Sequence, residues 1–396
     1  SNTTGVHNTA VGSTGQNSRA PLHSNTTGGY NVAVGNQALS TNTTGLYNTA
    51  IGYQALNLAT TADNNTSVGL NSMYNTTIGH SNVAMGNNTL DANTTGAYLT
   101  GIGRAGLGAN TTGNRSVAVG YNALGANTTA SENVAVGAYS LDANTTGTQN
   151  TAIGDAAMSA CTTASNNTAL GSEAMKVSTT AEQCTMIGAE SGKAVTTGSF
   201  NTLLGYRSGN YQTNLVDGQD NVIIGAYSSV TATNADRAVV LGYNVLGAQD
   251  YTTLGNGGND IRAAHGSTTW STVSDERYKK DITDSTVGLA FVNALRPRTF
   301  NYKNKGELPD TFASYEEGST EVFKSSQTQH GFIAQEVKTA IEADSGIQDG
   351  FKLWDERDDG SQEVAETALI PVLVKAIQEL SAKNDALEAR IATLEG

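Results

Sequence analysis

Along the first 260 residues a short apolar run closed by glycine recurs, as in NVAVG, NTAIG and NVIIG. The closing glycines are Gly35, Gly52, Gly69, Gly86, Gly103, Gly120, Gly137, Gly154, Gly171, Gly188 and Gly205, and every step is 17 residues. The spacing then loosens through Gly225, Gly242 and Gly255, and Gly12 lies 23 residues before Gly35. A second marker, NTTG, starts at Asn25, Asn42, Asn93, Asn110 and Asn144 and keeps multiples of the same period. This period is too short for a helix pair and matches one coil of a parallel β-solenoid. Within a coil, Val32 and Val34 fall on one side and Asn31 and Ala33 on the other, which is strand periodicity. The expectation is that Val34, Ile51 and Val119 stack in one interior column. Glycine then breaks the strand, and Tyr53-Gln54-Ala55-Leu56 is expected to form a second short strand. NTTG closes the coil, because Asn and Gly tolerate left-handed turns and Thr hydroxyls can bond the backbone. One coil cannot bury its own core, so neighbours share stability. About thirteen coils at ~4.8 Å each give a rod roughly 60 Å long.

The repeat dissolves after residue 258. Residues 259–273 read as a connector of small residues with one large aromatic, Trp270. From residue 274 the chain is charged, mixed and non-repetitive. The last segment, 371–395, keeps alternating steps of four and three at Leu373, Ile377, Leu380, Asn384, Leu387, Ile391 and Leu394, the core positions of a coiled coil. Pro371 suits the first turn of that helix. Ile at a with Leu at d favours two strands on peptide rules, and Asn384 at an a position fixes register.

Charge sharpens the boundary. Residues 1–273 hold 13 acidic and 8 basic side chains, a far lower density than the ~25% of ordinary domains. Residues 274–396 hold 23 and 14. The formal net charge of −14 argues against nucleic acid, which needs Lys/Arg clusters. No apolar run reaches the ~20 residues of a spanning helix, so no membrane insertion is expected. Two cysteines, Cys161 and Cys184, make no disulfide framework and read as small buried residues. The five histidines, His7, His23, His80, His265 and His330, show no metal-ligand spacing, and no cofactor is expected. The first residue is Ser1, so a fragment or processed product is expected.

The repeats resemble the head region of trimeric autotransporter adhesins, which fold as a left-handed parallel β-roll, and look equally like repeat regions of phage tail fibres. The narrow core and small Val, Ile, Ala and Leu positions also favour three rods packed side by side. After residue 273 four blocks follow in order: SDERYKKDI at 274–282, ALRPRTFNYK at 294–303, HGFIAQEV at 330–337 and ETALIPVLVKAIQEL at 366–380. Together they closely resemble the intramolecular chaperone auto-processing domain at the C-terminus of phage tail spikes and fibres, including endosialidases. The resemblance implies a small α+β domain that trimerises the chain and then releases itself by a Ser-Lys dyad. Carried over, Ser274 is the nucleophile, Lys279 the general base, and the bond between Val273 and Ser274 is the one cut. Such a lysine acts as a base only once desolvated, so Lys279 is expected to lose solvation when the domain folds. Asp275, Arg277 and Lys280 are expected to form surface ion pairs.

Other chemistry is weaker. The NTT triplets match N-glycosylation sequons, but their placement at the repeat period favours turn chemistry. Tyr53, Tyr121, Tyr206 and Tyr243 follow motif glycines, and Tyr30, Tyr47 and Tyr98 lie five before them. Such columns could stack on sugar rings. No pair of carboxylates is placed as a glycosidase needs. The expected protein is mainly β: a solenoid fibre at 1–258, a connector, and a chaperone domain at 274–396. It is expected to be a homotrimeric virion tail fibre that attaches to a host surface receptor, glycan or protein. A cell-surface trimeric adhesin is the alternative, and a C-terminal membrane β-barrel is expected of it. A glycan-degrading tail spike would need a body richer in aromatics and acids.

Overall fold

The structure, a computed structural model, describes residues 2–12, 19–347 and 351–395. The chain divides into two compact units, Ser1–Ser274 and Asp275–Gly396.

In the first unit three-residue strands recur at the period of the glycines, as at Val32–Val34, Thr49–Ile51 and Thr66–Val68. They pair parallel and in register, Val34 with Ile51 and Ile51 with Val68. The sheet has 16 strands, all parallel but the last. That last strand, Asn259–Ala264, folds back antiparallel on Tyr251–Asn256. The segment read as a connector therefore begins as a strand that covers the open sheet edge, where unpaired backbone groups would invite another chain.

The strands turn the opposite way from the expected one. Their central residues, including Ala33, Ala50, Ala118 and Ala135, are fully buried. Val34, Ile51 and Val119 do share one column, but on the outer face, where Ile51 is 40% exposed. The cause is volume. The turn after each glycine sends Leu39, Leu56, Met73 or Leu90 into the coil, each fully buried, and only a small residue fits opposite. Where the turn residue is Gly192 or Gly209, the strand centre grows to Met186 or Leu203. A Cβ on Gly192 would lie 2.0 Å from the Met186 sulfur, and one on Gly209 2.1 Å from Leu203 Cδ2.

This exchange is testable. Gly192→Leu should overpack the coil by about 1–3 kcal/mol, and Met186→Ala should leave a cavity worth about 2–5 kcal/mol. The φ of +57° at Gly192 is no obstacle, because Leu39 and Leu56 adopt 49° and 53°. The double variant restores the small-large arrangement of the other coils. Its thermal midpoint should lie well above the additive value. Strict additivity would show that the two positions do not share one space.

No second strand forms at residues 53–56. Gln54 and Leu56 both take positive φ, so the segment is a run of turns. The coils still bond to each other there, as Leu39 N–H donates to Ala55 (3.0 Å) and Leu56 N–H to Ser72 (2.9 Å). Two buried asparagine ladders complete the stack. In one, Asn31 Oδ1 accepts from Asn48 N–H at 2.9 Å; in the other, Asn42 Nδ2 donates to Asn25 Oδ1 at 2.7 Å. The second ladder belongs to the NTTG turns, whose Thr43 hydroxyl donates to the Thr60 carbonyl at 3.0 Å. Asn42, Asn93, Asn110 and Asn144 are fully buried, so these sequon side chains serve the turn. Cys161 and Cys184 stand at ladder positions, buried and unpaired, and burial pushes both thiols up to about 11. At Gly120, φ is +136° and a Cβ would sit 2.5 Å from the Gly137 carbonyl oxygen, so coil spacing and backbone both demand glycine.

The second unit is a small α+β fold. Helix α1 (Leu289–Ala294), α2 (Ala334–Ala343) and α3 (Ile370–Glu395) join two short antiparallel strand pairs. One pairs Arg298–Phe300 with Gln329–Gly331, the other Trp354–Glu356 with Gln362–Val364. Its core holds Phe291, Val337, Leu353, Leu369 and Val372.

Candidate functional site

The boundary between the two units falls between Ser274 and Asp275. The proposed nucleophile closes the first unit and the proposed base lies near the start of the second. Val273 lies outside any helix or strand and is 57% exposed, and Ser274 is also exposed. A 3-10 turn follows at Glu276–Tyr278. Asp275 caps it by accepting the Arg277 N–H at 2.9 Å. The same carboxylate takes a two-pronged ion pair from the Arg277 guanidinium, at 2.9 and 2.6 Å. These bonds hold Asp275 below the usual carboxylate range, with a further pull from the charge of Lys279. Asp275 and Arg277 are thus a surface pair, as expected, and their job is to fix the turn leading to Lys279. The Lys279 N–H donates to the Glu276 carbonyl at 2.9 Å and ends the turn.

Lys279 is exposed in the single chain, and so are Tyr278 and Lys280. Folding of one chain therefore does not desolvate the lysine, contrary to expectation. The reason is topological. The turn sits on the outside of a small unit whose core lies at Phe291, Val337 and Leu353, and none of that core reaches residues 274–282.

The remaining blocks build the scaffold. Residues 294–303 and 330–337 are joined by the strand pair and by a clamp from Arg298 onto Glu336, with Nε to Oε2 at 2.9 Å. Arg296 approaches the same carboxylate at 3.4 Å. The block at 366–380 starts α3 and packs Leu369, Val372 and Ala376 inward. Glu379 accepts the Leu289 N–H at 2.9 Å, tying α3 to the start of α1. None of these pairs was singled out from the sequence. Arg298 and Glu336 lie 38 residues apart, and Glu379 and Leu289 lie 90 apart.

The heptad residues take a definite face. Leu373, Ile377, Leu380, Leu387, Ile391 and Leu394 are all exposed, while Val372 and Ala376 pack on the unit's own core. Asn384 on the same stripe donates to Glu388 at 2.9 Å. Among the described residues no group of three or more His, Cys, Asp or Glu is placed to hold a metal, and no helix is long and apolar enough to cross a membrane.

Acid should loosen this unit. Asp359 accepts from the Ser361 hydroxyl (2.6 Å) and from the Ala313 and Ser361 N–H groups (3.0 and 2.9 Å), which hold it down to about 2. The Arg298 guanidinium likewise depresses Glu336. Carboxyls lowered on folding stabilise above their unfolded values and lose that effect as pH falls through the folded ones. Tertiary signal in the near-ultraviolet should therefore fade between about pH 4 and pH 2, and Asp359→Asn should flatten that dependence. An unchanged acid profile in the variant would contradict the assignment.

Residues 274–345 match the family model described as chaperone of endosialidase, and the match begins at Ser274. The N-terminal β-solenoid fits a repeat region of the tail-fibre or tail-spike kind. Neither a curated protein nor a solved structure matches the chain.

Proposed function

We propose that this chain is a viral tail fibre or spike that attaches to a host surface, and that its C-terminal unit assembles three copies and then cuts itself away. The observation that carries the reading is the coincidence of three boundaries. The family match starts at Ser274, the compact units divide directly after it, and the glycine repeat lies wholly before it.

In the proposed reaction Ser274 Oγ attacks the Val273 carbonyl carbon while Lys279 takes the hydroxyl proton. The bond from that carbon to the Ser274 nitrogen breaks, and the nitrogen leaves as an amine with the proton from Lys279. An ester joins Val273 to Ser274 Oγ. Water hydrolyses it to the Val273 carboxylate and the free serine hydroxyl. Nucleophile and scissile bond belong to one residue, so no substrate pocket is needed and effective molarity lowers the barrier by roughly 7–11 kcal/mol at good alignment. The exposed position of Lys279 in one chain makes assembly the step that desolvates it. Cleavage is then a checkpoint that follows trimer formation.

Two surfaces support a homotrimer. On the solenoid, the outward column of the strands holds only Val, Ile, Leu and Met from Val11 to Leu241, and the column beside it only Thr and Val. No charge interrupts either. On α3 the heptad stripe is unpartnered within its own unit. Contiguous apolar surface of this extent marks an interface. The solenoid column is repeated identically in every copy, which suits parallel, in-register packing.

Ile102→Glu combined with Val119→Glu should abolish the trimer, since like charges would meet at the axis without water. Val119→Thr should keep it, because Thr already occupies neighbouring strand positions. Sedimentation equilibrium distinguishes the masses. A trimer that survives both glutamates would place the interface elsewhere.

A further inference from the structure

In its later half the solenoid departs from its period at two steps, one longer and one shorter, and the longer one inserts residues. The step from Gly205 to Gly225 is 20 residues instead of 17. The extra residues form a small hairpin, Asn210–Tyr211 paired with Thr213–Asn214, with Gln212 at φ +58° as its tip. The hairpin folds forward over later coils. Gln212 Nε2 donates to Asn244 Oδ1 at 3.2 Å, and Thr213 accepts from the Ser229 hydroxyl. It lays Tyr211 against Tyr227 with ring centroids 4.8 Å apart. Tyr227 also meets Tyr206 at 5.3 Å and Tyr243 at 5.9 Å. Four tyrosines from three successive coils thus gather where the coil is lengthened by three residues.

The geometry differs from that of the stack at the start of the solenoid and shares the edge contacts of the His80–Tyr98 and Tyr121–Tyr139 pairs, but only here do four rings meet, among the described residues. His7, Tyr30 and Tyr47 stack nearly parallel, at 25° and 15°, so each ring covers its neighbour's face. In the later cluster Tyr227 meets Tyr206 and Tyr243 at 89° and 86°, contacts that use an edge and leave face area open. Tyr243 is 54% exposed and Tyr206 40%. The Arg207 guanidinium lies 5.3 Å from the centre of the Tyr206 ring, which leaves Tyr243 as the main open platform. Arg207 itself is neutralised by a two-pronged pair with Glu190, at 3.0 and 3.3 Å. The patch therefore offers aromatic faces, phenol hydroxyls and the Gln212 and Asn244 amides, with no uncompensated charge among them.

We propose that Tyr206, Tyr211, Tyr227 and Tyr243, with Gln212 and Asn244, form a binding site for a neutral oligosaccharide. Sugar rings present C–H faces that pack on exposed aromatic rings and hydroxyls that bond amides and phenols. Among the named residues a charged glycan would meet no free cation, since Arg207 is paired with Glu190. This inference names the ligand class for the host-attachment reading and rests on it.

The test uses the full chain and an array of neutral hexose and N-acetylhexosamine oligosaccharides beside sialylated and phosphorylated ones. Wild type should bind neutral members. Tyr243→Ala should weaken that binding at least tenfold, and Gln212→Ala several-fold, with melting temperature and oligomeric mass unchanged. Tyr47→Ala, an equally exposed tyrosine in the parallel stack, should bind as wild type does. Binding confined to acidic glycans, no binding to any array member, or equal loss in Tyr47→Ala would overturn the site. Adsorption of the same proteins to whole bacterial cells reports attachment separately. Wild-type adsorption undiminished in Tyr243→Ala would leave the attachment reading standing and the saccharide site refuted.

Discussion

Ser274→Ala is expected to give a trimer whose chains stay full length. In the proposed reaction the hydroxyl is the attacking group, so its loss should slow cleavage on the order of a thousandfold or more. Assembly should be untouched, because Ser274 is exposed and belongs to no core. Lys279→Ala should slow cleavage by about a hundred- to ten-thousandfold, the usual range for a lost general base. Lys279→Arg should rescue little, since a guanidinium stays protonated. Pulse-labelled protein followed on denaturing gels gives the rates. Rapid cleavage in Ser274→Ala would assign the reaction to another group. Dilution of wild type to concentrations that prevent assembly should also block the cut, because Lys279 is exposed in the single chain.

A chain that stops at Val273 is expected to misassemble when made afresh, with most of it insoluble. The main sheet has fifteen parallel strands among the described residues, with partners from successive coils, and in the proposed assembly its outward aliphatic column stays open until three copies meet. Parallel pairings form slowly, and exposed apolar columns aggregate while they wait. A unit that gathers three chains through the α3 stripe would set register before the coils close. Removal of residues 274–396 after assembly should instead leave the mature fibre intact, because its own coil-to-coil bonds and buried ladders do not involve them. Soluble trimers from the truncated gene would refute the chaperone role.

The coil was legible because glycine at φ near +135° tolerates no other residue, so the period is written in one letter. The inside of the strand was not. Val32-Ala33-Val34 alternates equally well with either face inward, and the deciding fact is the leucine at Leu39, six residues after Ala33 and across the coil. The joint change to Met186 and Gly192 carried that information, since both residues depart from the pattern in one coil. The turns at residues 53–56 were misread as a strand because their positive φ values fall on Gln54 and Leu56, residues that seldom adopt them. For the proposed dyad, the assignment came from the order of the four blocks and the resemblance they carry, and the family match begins at Ser274. The exposure of Lys279 was not legible, because the block order does not say how far the unit's core reaches. The Arg298 clamp and the Glu379 cap join residues too far apart for periodicity to reveal.

The most direct measurement is the intact mass of the purified wild-type protein after assembly at pH 8, with N-terminal sequencing of the smaller species. The account predicts two fragments, residues 1–273 and 274–396, the second beginning Ser-Asp-Glu-Arg, and a trimeric 1–273 fibre. A trimer that remains a single 396-residue species for days would contradict it, and so would a cut at any other bond.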